Sequence, residues 1–454
     1  MSFNIGLSGL YAANKSLDVT GNNIANVATT GFKASRTEFQ DQYAQSIRGT
    51  SGNVNSGSGV VVGAVAQQFQ QGNLTTGTGN SLDLAINGNG FFQLSNNGEK
   101  LYTRAGAFHT DKDGFVVNSS GMNLQGYNVD ENGSVVVGTL SNLRVDSSNL
   151  APSVTTAITN VANLNTTTAV PSIATFDPTD TKSYNLKYDT PVYDSQGNAH
   201  KLESYFVKTG VNTWDMYSLI DGRIISDPAA NPTGSALTDD KVSLTFDAAG
   251  KLILSGTGVP TSGTNVEFNT DGTFSIKNWV PGVQTATTPA VVWAANGASG
   301  PVDSTGAASS IRLDMTGITQ TASVSGLVTQ SQNGYATGQI SALSIDATGN
   351  MFATYTNGQS KVIGQVSLTS FANVQGLASA GGTNWRETFS SGVPVSGTPQ
   401  SGTLGYITGQ ALEDSNVDLT AELVNLIKAQ SNYQANAKTI STQSTIMQTT
   451  IQMT

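Results

Sequence analysis

Apolar residues recur at helical spacing along the two ends of the chain, and between them they fall into short runs broken by turns. From Gln410 to Thr454 there is neither Gly nor Pro, although Gly is frequent elsewhere, so one long uninterrupted helix is predicted. A 4-3 spacing passes through Leu419, Leu423, Leu426, Gln430, Tyr433, Ala437, Ile440, Ser444, Met447 and Ile451, apolar except at the fourth and eighth places. Residues 418–454 would make a rod of roughly 55 Å at ~1.5 Å per residue. Ser415-Asn-Val-Asp418 fits a capping box ahead of it, with Asp418 as an alternative N-cap and Glu422 near the positive helix end.

The first residues carry the same spacing in Phe3, Leu7, Leu10, Asn14, Leu17, Gly21 and Ile24, so the two terminal segments can pair. Their other faces are Asn, Gln, Ser and Thr, with only Glu422, Lys428 and Lys438 charged after Asp418. A solvated coiled coil would carry many Glu and Lys there, so these faces suit packing against neighbouring copies.

Between the ends, Phe32, Phe39, Tyr43 and Ile47 share one side of a predicted short helix over 34–47, and Gly49–Gly59 reads as a flexible loop. Six turns place Asp or Asn before Gly and an apolar run, at Asp111, Asp130, Asp194, Asp247, Asn269 and Asp346. They predict hairpins whose acidic side chains hydrogen-bond the turn. Residues 149–182 and 281–310, rich in Thr, Ser, Ala and Pro, mark domain junctions.

Composition narrows the function. The 454 residues include 49 Gly and only 11% charged residues, which suits a β-rich, multidomain protein with polar, weakly charged surfaces. A net charge of −10 removes the counterion-release term that drives nucleic-acid binding, and acidic membranes are excluded on the same ground. Without cysteine, no disulfide or thiolate site can form. The N-terminus lacks the basic and unbroken apolar regions of a secretory signal, and no stretch approaches the ~20 apolar residues that span a bilayer.

Catalytic signatures are missing too. No P-loop, dinucleotide fingerprint or nucleophile elbow occurs. His109 and His200 are expected at ordinary surface positions, Asp111-Lys-Asp113 lacks the remaining ligands of a calcium loop, and Asp239-Asp240 has no aromatic cleft pattern beside it. No catalytic, cofactor or metal residue is therefore expected, and no small-molecule substrate.

GNNIANVATTGFK, from Gly21 to Lys33, resembles the N-terminal signature of the bacterial flagellar rod and hook family, carried by Gly21, Asn22, Asn23, Ile24, Ala25, Asn26, Gly31 and Phe32. Further resemblances follow in order: SLDLAINGNGFFQL at Ser81, YTRAGAF at Tyr102, VYDSQGNAHKLESYFVK at Val192, VIGQVSLTSFANVQGLA at Val362, and the stretch from Gly409 to the C-terminal helix. The segment at Val192 is similar to hook proteins, whereas distal rod proteins generally lack so large an insertion. A secreted adhesin would need no paired terminal stripes, and a hydrolase would need the chemistry just found missing.

The resemblance implies a mainly β, multidomain fold with α-helical termini paired in a coiled-coil-like core, and outer β domains inserted into an inner β domain. The expected division is a helical core from 1–26 and 418–454, a linker domain from 27–72 and 405–417, an inner β domain from 73–150 and 320–404, and an outer part at 151–319 of one or two subdomains. It implies a hook subunit that polymerises with itself into a curved, torque-transmitting tube. Its partners would be the distal rod, hook cap and hook-filament junction proteins and the flagellar type III export apparatus, and its location extracellular, reached without a cleavable signal peptide. The assembly contacts would be Phe3, Leu7, Leu10, Leu17, Ile24, Leu419, Leu423, Leu426, Tyr433, Ile440, Met447 and Ile451. The polar β domains between the ends would slide while the termini hold.

Overall fold

The computed structural model describes residues 2–42, 59–130, 133–232, 237–286, 292–306 and 308–453. The chain forms two compact units, one from Met1–Ser147, Ser341–Thr354 and Ser360–Thr454, the other from Ser148–Ile340 and Tyr355–Gln359.

The first unit contains both terminal helices, α1 (Ser2–Ala25) and α2 (Leu419–Gln452). Of the two candidate caps, Asp418 is the one used: its carboxylate accepts from Thr420 N at 2.8 Å and Ala421 N at 3.2 Å, satisfying donors that the first turn leaves orphaned. The helices pack side by side, as expected. A Cβ on Gly6 would lie 3.1 Å from Ile440, and one on Gly9 would lie 2.5 Å from the Asn436 side chain. Ala12 and Ala13 are buried on α1, and Ala429 is the one fully buried side chain of α2 among the described residues. Small residues thus let the backbones approach along this seam, and Ile440 of the 4-3 row lies against it.

Residues 35–41, expected in a helix, are instead a strand. β1 (Ser35–Asp41) pairs antiparallel with β2 (Val60–Gln67), from Ser35 opposite Gln67 to Asp41 opposite Val60. Spacing across one short apolar run does not separate helix from strand, and the β-branched partner VVVGAVAQ decides for pairing. Phe32 precedes the strand and Phe39 lies within it, while Tyr43, Ile47 and residues 49–58 of the loop fall outside the described residues.

The β body of this unit is a 13-stranded sheet system drawn from both flanks of the sequence. Strands Phe91–Asn96 and Glu99–Thr103 pair with each other, and Asn384–Arg386 adds to the second of them. An aromatic cluster of Phe69, Phe91, Tyr102, Phe371 and Trp385 fastens these distant segments, with centroid separations from 4.7 to 5.9 Å in the range where aromatic pairs add to area burial.

The second unit packs a four-stranded antiparallel sheet (Leu186–Tyr193, Ala199–Gly210, Thr213–Ile220, Lys241–Thr245) against a six-stranded mixed sheet over one core. Leu202, Phe206, Trp214 and Met216 face that core, while Tyr205 on the opposite face meets Phe176 and Leu219. The motif HKLESYFVK is thus buried on both sides at its centre. All six predicted turns close hairpins or hairpin-like bridges. Their acidic side chains serve the turn: Asp194 Oδ1 accepts from Gln196 N and Asn198 N, and Asp346 Oδ1 from Thr348 N and Asn350 N, all at 2.9 Å.

Candidate assembly surface and its anchor

The signature motif is where helix α1 becomes a β-rich body. Asn23, buried at the last turn of α1, donates to Ser35 O at 2.8 Å and accepts from Ser35 N at 2.9 Å. One amide side chain thus caps both polar groups of the first residue of β1. Asn26 donates to Asn22 O and accepts from Thr29, closing the turn. Gly31 has φ +68°, and a Cβ there would lie 2.5 Å from Ala105 N, so both conformation and space demand glycine. Its own N–H donates to Glu413 O at 2.7 Å, bringing the C-terminal flank alongside.

Lys33 then enters a buried charge cluster. Its Nζ lies 2.5 Å from Glu413 Oε1 and donates to Gln70 O at 2.7 Å, while Arg104 reaches Glu413 Oε2 at 3.3 Å and the carbonyls of Ile86 and Gly88. Gly72 N gives Glu413 one more donor at 3.0 Å. Burial pushes the Lys33 ammonium below its ordinary value against the pull of Glu413, and does the same to the Arg104 guanidinium. Two cations share one carboxylate, and backbone carbonyls supply the remaining compensation that buried charge requires. Beside it, Asn416 accepts from Ala34 N at 2.7 Å and donates to Gln68 O and Gln70 O. Lys33, Arg104 and Glu413 all lie inside motifs legible in the sequence, but nothing in one dimension shows that they meet.

Around this anchor the predicted contact residues divide into two groups. Leu7, Leu10, Leu17, Ile24, Leu426 and Ile440 are half-buried. Phe3, Leu419, Leu423, Tyr433, Met447 and Ile451 stand exposed, reaching 45% for Leu423 and 69% for Ile451, and Val424, Ile427 and Ile446 on a second face of α2 join them. The chain's own helix pair leaves these side chains to solvent.

His109 is exposed, as expected, but His200 is not: it is buried in the second unit, with Nδ1 2.7 Å from Asp221 and Nε2 3.3 Å from Asp194, and Trp279 set edge-on beside it. A histidine in a polar stretch reads as surface. Partners 6 and 21 positions away bury it instead. Among the described residues no group of three or more His, Asp or Glu could hold a metal, and no helix is long and apolar enough to cross a membrane.

Profiles of flagellar axial proteins match the chain in order: Flagella basal body rod protein over 3–33, Flagellar hook protein FlgE/F/G D1 domain over 85–160, Flagellar basal body protein FlaE D2 domain over 163–335, and Flagellar basal body rod FlgEFG protein C-terminal over 408–453. The Flagellar hook protein FlgE of Salmonella typhimurium is 39% identical over 461 residues, and that of Escherichia coli K12 is 36% identical over 456, each covering 100% of both chains. The chain belongs to the flagellar hook protein family. A solved structure, the Helicobacter pylori flagellar hook protein FlgE2, covers 76% of this chain and 99% of its own at 14% identity and a TM-score of 0.46.

Proposed function

We propose that this chain is the structural subunit of a bacterial flagellar hook, polymerising with itself into a curved flexible tube that passes torque from rod to filament. The observation that carries this reading is the division of labour on the terminal helices. Small residues make the intramolecular seam, and large apolar side chains such as Leu423, Tyr433, Met447 and Ile451 are left outside it. A row of this kind on a helix that already has a partner suits contact with further copies. Phe3 and Leu419, exposed like these, and the half-buried Leu7, Leu10, Leu17, Ile24, Leu426 and Ile440, the last also lying against Gly6 of α1, complete that surface.

On this reading 1–26 with 418–454 form the helical core, 27–72 with 405–417 a linker, 73–150 with 320–404 an inner β domain, and 151–319 the outer part. The subunit works outside the cell, without catalysis, reached through the flagellar type III export apparatus. It meets the distal rod, the hook cap and the hook-filament junction proteins at the ends of the tube. Weakly charged β surfaces support sliding between neighbours as the tube rotates, because exposed ion pairs that would fix one register contribute little.

The test is polymerisation of the purified full chain, with electron microscopy of the product. Leu423→Asp together with Leu426→Asp is expected to stop tube formation while leaving the monomer folded. Normal tubes from that variant would overturn the assignment of these helices to assembly.

A further inference from the structure

In the second unit, the ring of His200 stands between two stretches of chain that seat the same pair of strands. The pair is Gly282–Ala286 with Val292–Ala295, and its base closes where Asn296 N donates to Pro281 O at 3.0 Å. One seat is the turn from Asp194 to Asn198. There Asp194 Oδ2 accepts from Asn296 Nδ2 at 2.9 Å, Ser195 N donates to Ser299 O, and Ser299 N donates to Ser195 Oγ, the last two at 3.0 Å. The other seat is the stretch from Asp221 to Pro228. Its Ile225 O accepts from Val280 N at 3.0 Å, its Arg223 guanidinium lies 5.6 Å from the Trp293 ring centroid, and a Cβ on Gly282 would lie 2.6 Å from its Pro228.

His200 is bonded to both seats. Its Nδ1 lies 2.7 Å from Asp221 Oδ2 and its Nε2 3.3 Å from Asp194 Oδ2, the same oxygen that holds Asn296. Asp221 and Asp194 are the charged groups that face the ring, while the segment beyond them contributes the edge of Trp279 and the amide of Asn296, both neutral. Arg223 is engaged by Asn231, Lys201 meets Asp221 through its main-chain N–H, and Asp240 holds the second seat from behind by accepting from Ile225 N at 3.2 Å.

A protonated ring donates from both nitrogens. A neutral ring has one proton, which the shorter contact to Asp221 retains, so the Nε2 lone pair then faces the Asp194 carboxylate. Burial works to raise the Asp194 carboxyl, but Asn198 and Asn296 hold it below its ordinary value, and it stays ionised on either side of the change. Burial likewise opposes charge on the ring, and Asp221 and Asp194 outweigh it.

We propose that protonated His200 is a pin fastening the strands Gly282–Ala286 and Val292–Ala295 to the body of the second unit, and that loss of the ring proton loosens this pair while the rest of the unit stays folded. The repulsion falls on the one oxygen that Asn296 shares, so the hold at the base of the pair weakens first. The two sheets of the unit are joined through Leu202, Phe206, Trp214 and Met216, in a core to which the ring does not belong.

The experiment labels the full chain with fluorotryptophan, assigns the signals of Trp214, Trp279, Trp293 and Trp385 by replacing each with Phe, and follows them by fluorine NMR between about pH 6.5 and 8.5. Asp240, pushed up to about 6 by burial, is already ionised over most of that window. Trp279, beside the ring, and Trp293, on the strand pair, are expected to shift with one shared midpoint, and Trp214 and Trp385 to stay fixed. His200→Asn should abolish both shifts. Asn296→Ala, which frees the base of the pair without touching the ring, should put the Trp293 signal at its high-pH position throughout while Trp279 still titrates. A titrating Trp279 with a fixed Trp293, or no shift of either, would overturn the inference. Trp214 moving with them would overturn it too, because the proton would then support the whole unit rather than pin one part of it.

Discussion

Lys33 and Glu413 stand 380 positions apart in the chain, and their side chains meet at 2.5 Å with neither exposed to solvent. Because Arg104 shares the same carboxylate, Glu413→Gln leaves two buried cations without their counter-charge. Breaking a buried pair in this way typically costs ~3–5 kcal/mol. Lys33→Met removes one cation and leaves Glu413 with Arg104, so its cost should be smaller. Calorimetry of the full chain should show Glu413→Gln lowering the transition of the first unit most, Lys33→Met less, and neither moving that of the second unit. Equal losses from the two variants would contradict a shared carboxylate.

His200 makes the second unit sensitive to pH. Burial alone would lower its pKa from 6.5, but Asp221 and then Asp194 outweigh burial and raise it. A base with a raised folded-state pKa contributes stability that is complete below ~6.5 and lost as pH rises through the folded value. Asp240 is pushed up to about 6 by burial, so its stability contribution falls between ~4 and about 6 and is level above that. Urea unfolding between about pH 6.5 and 8.5 therefore isolates the histidine: the second unit should weaken as pH rises, and His200→Asn should flatten the curve. A wild-type curve already flat in that window would remove the ion-paired histidine.

These two clusters show what one dimension hides. The C-terminal helix was legible because Gly and Pro vanish from Gln410 onward, the N-terminal one from its apolar spacing, and the hairpins because Asp or Asn before Gly has a local mechanism. Lys33, Arg104 and Glu413 are ordinary charged residues until the fold brings them together. Periodicity found the apolar row on α2 but not the small residues at which the helices approach, because Gly6, Gly9 and Ala429 are residues that hydrophobicity does not flag. Residues 35–41 looked helical because Phe39 and its neighbours fall at helical spacing, whereas their strand partners lie 19 or more residues further on.

Two glycines of the signature should respond to alanine with opposite sign. Gly21 is inside α1 with open space where a Cβ would be, so Gly21→Ala is expected to stabilise the helix by ~0.5–1 kcal/mol. Gly31 combines φ +68° with Ala105 N 2.5 Å from the Cβ position. Gly31→Ala should therefore cost at least ~1–3 kcal/mol in backbone strain before the clash is counted. Thermal unfolding of the two variants side by side decides the matter, and a loss from Gly21→Ala in the monomer would place an unrecognised contact on that face.

The joint between α1 and β1 depends on one amide. Asn23 presents its carbonyl oxygen to Ser35 N and its NH₂ to Ser35 O, and an aspartate of the same shape keeps only the first interaction while turning a second oxygen toward a carbonyl. Removing one partner from a buried pair leaves the other group unsatisfied, at ~1–3 kcal/mol, and like-charge dipoles add to that in Asn23→Asp. The damage is confined to the turn over residues 26–34, since the aromatic cluster around Trp385 and the Arg104–Glu413 pair hold the β body through other contacts. Limited proteolysis should accordingly cut Asn23→Asp between Asn26 and Ala34 while its main thermal transition stays within ~1 kcal/mol of the parent, the scale of a local opening. Cleavage spread through the β body, or a fall in the main transition as large as that of Glu413→Gln, would mean that the signature supports the whole unit rather than only its joint.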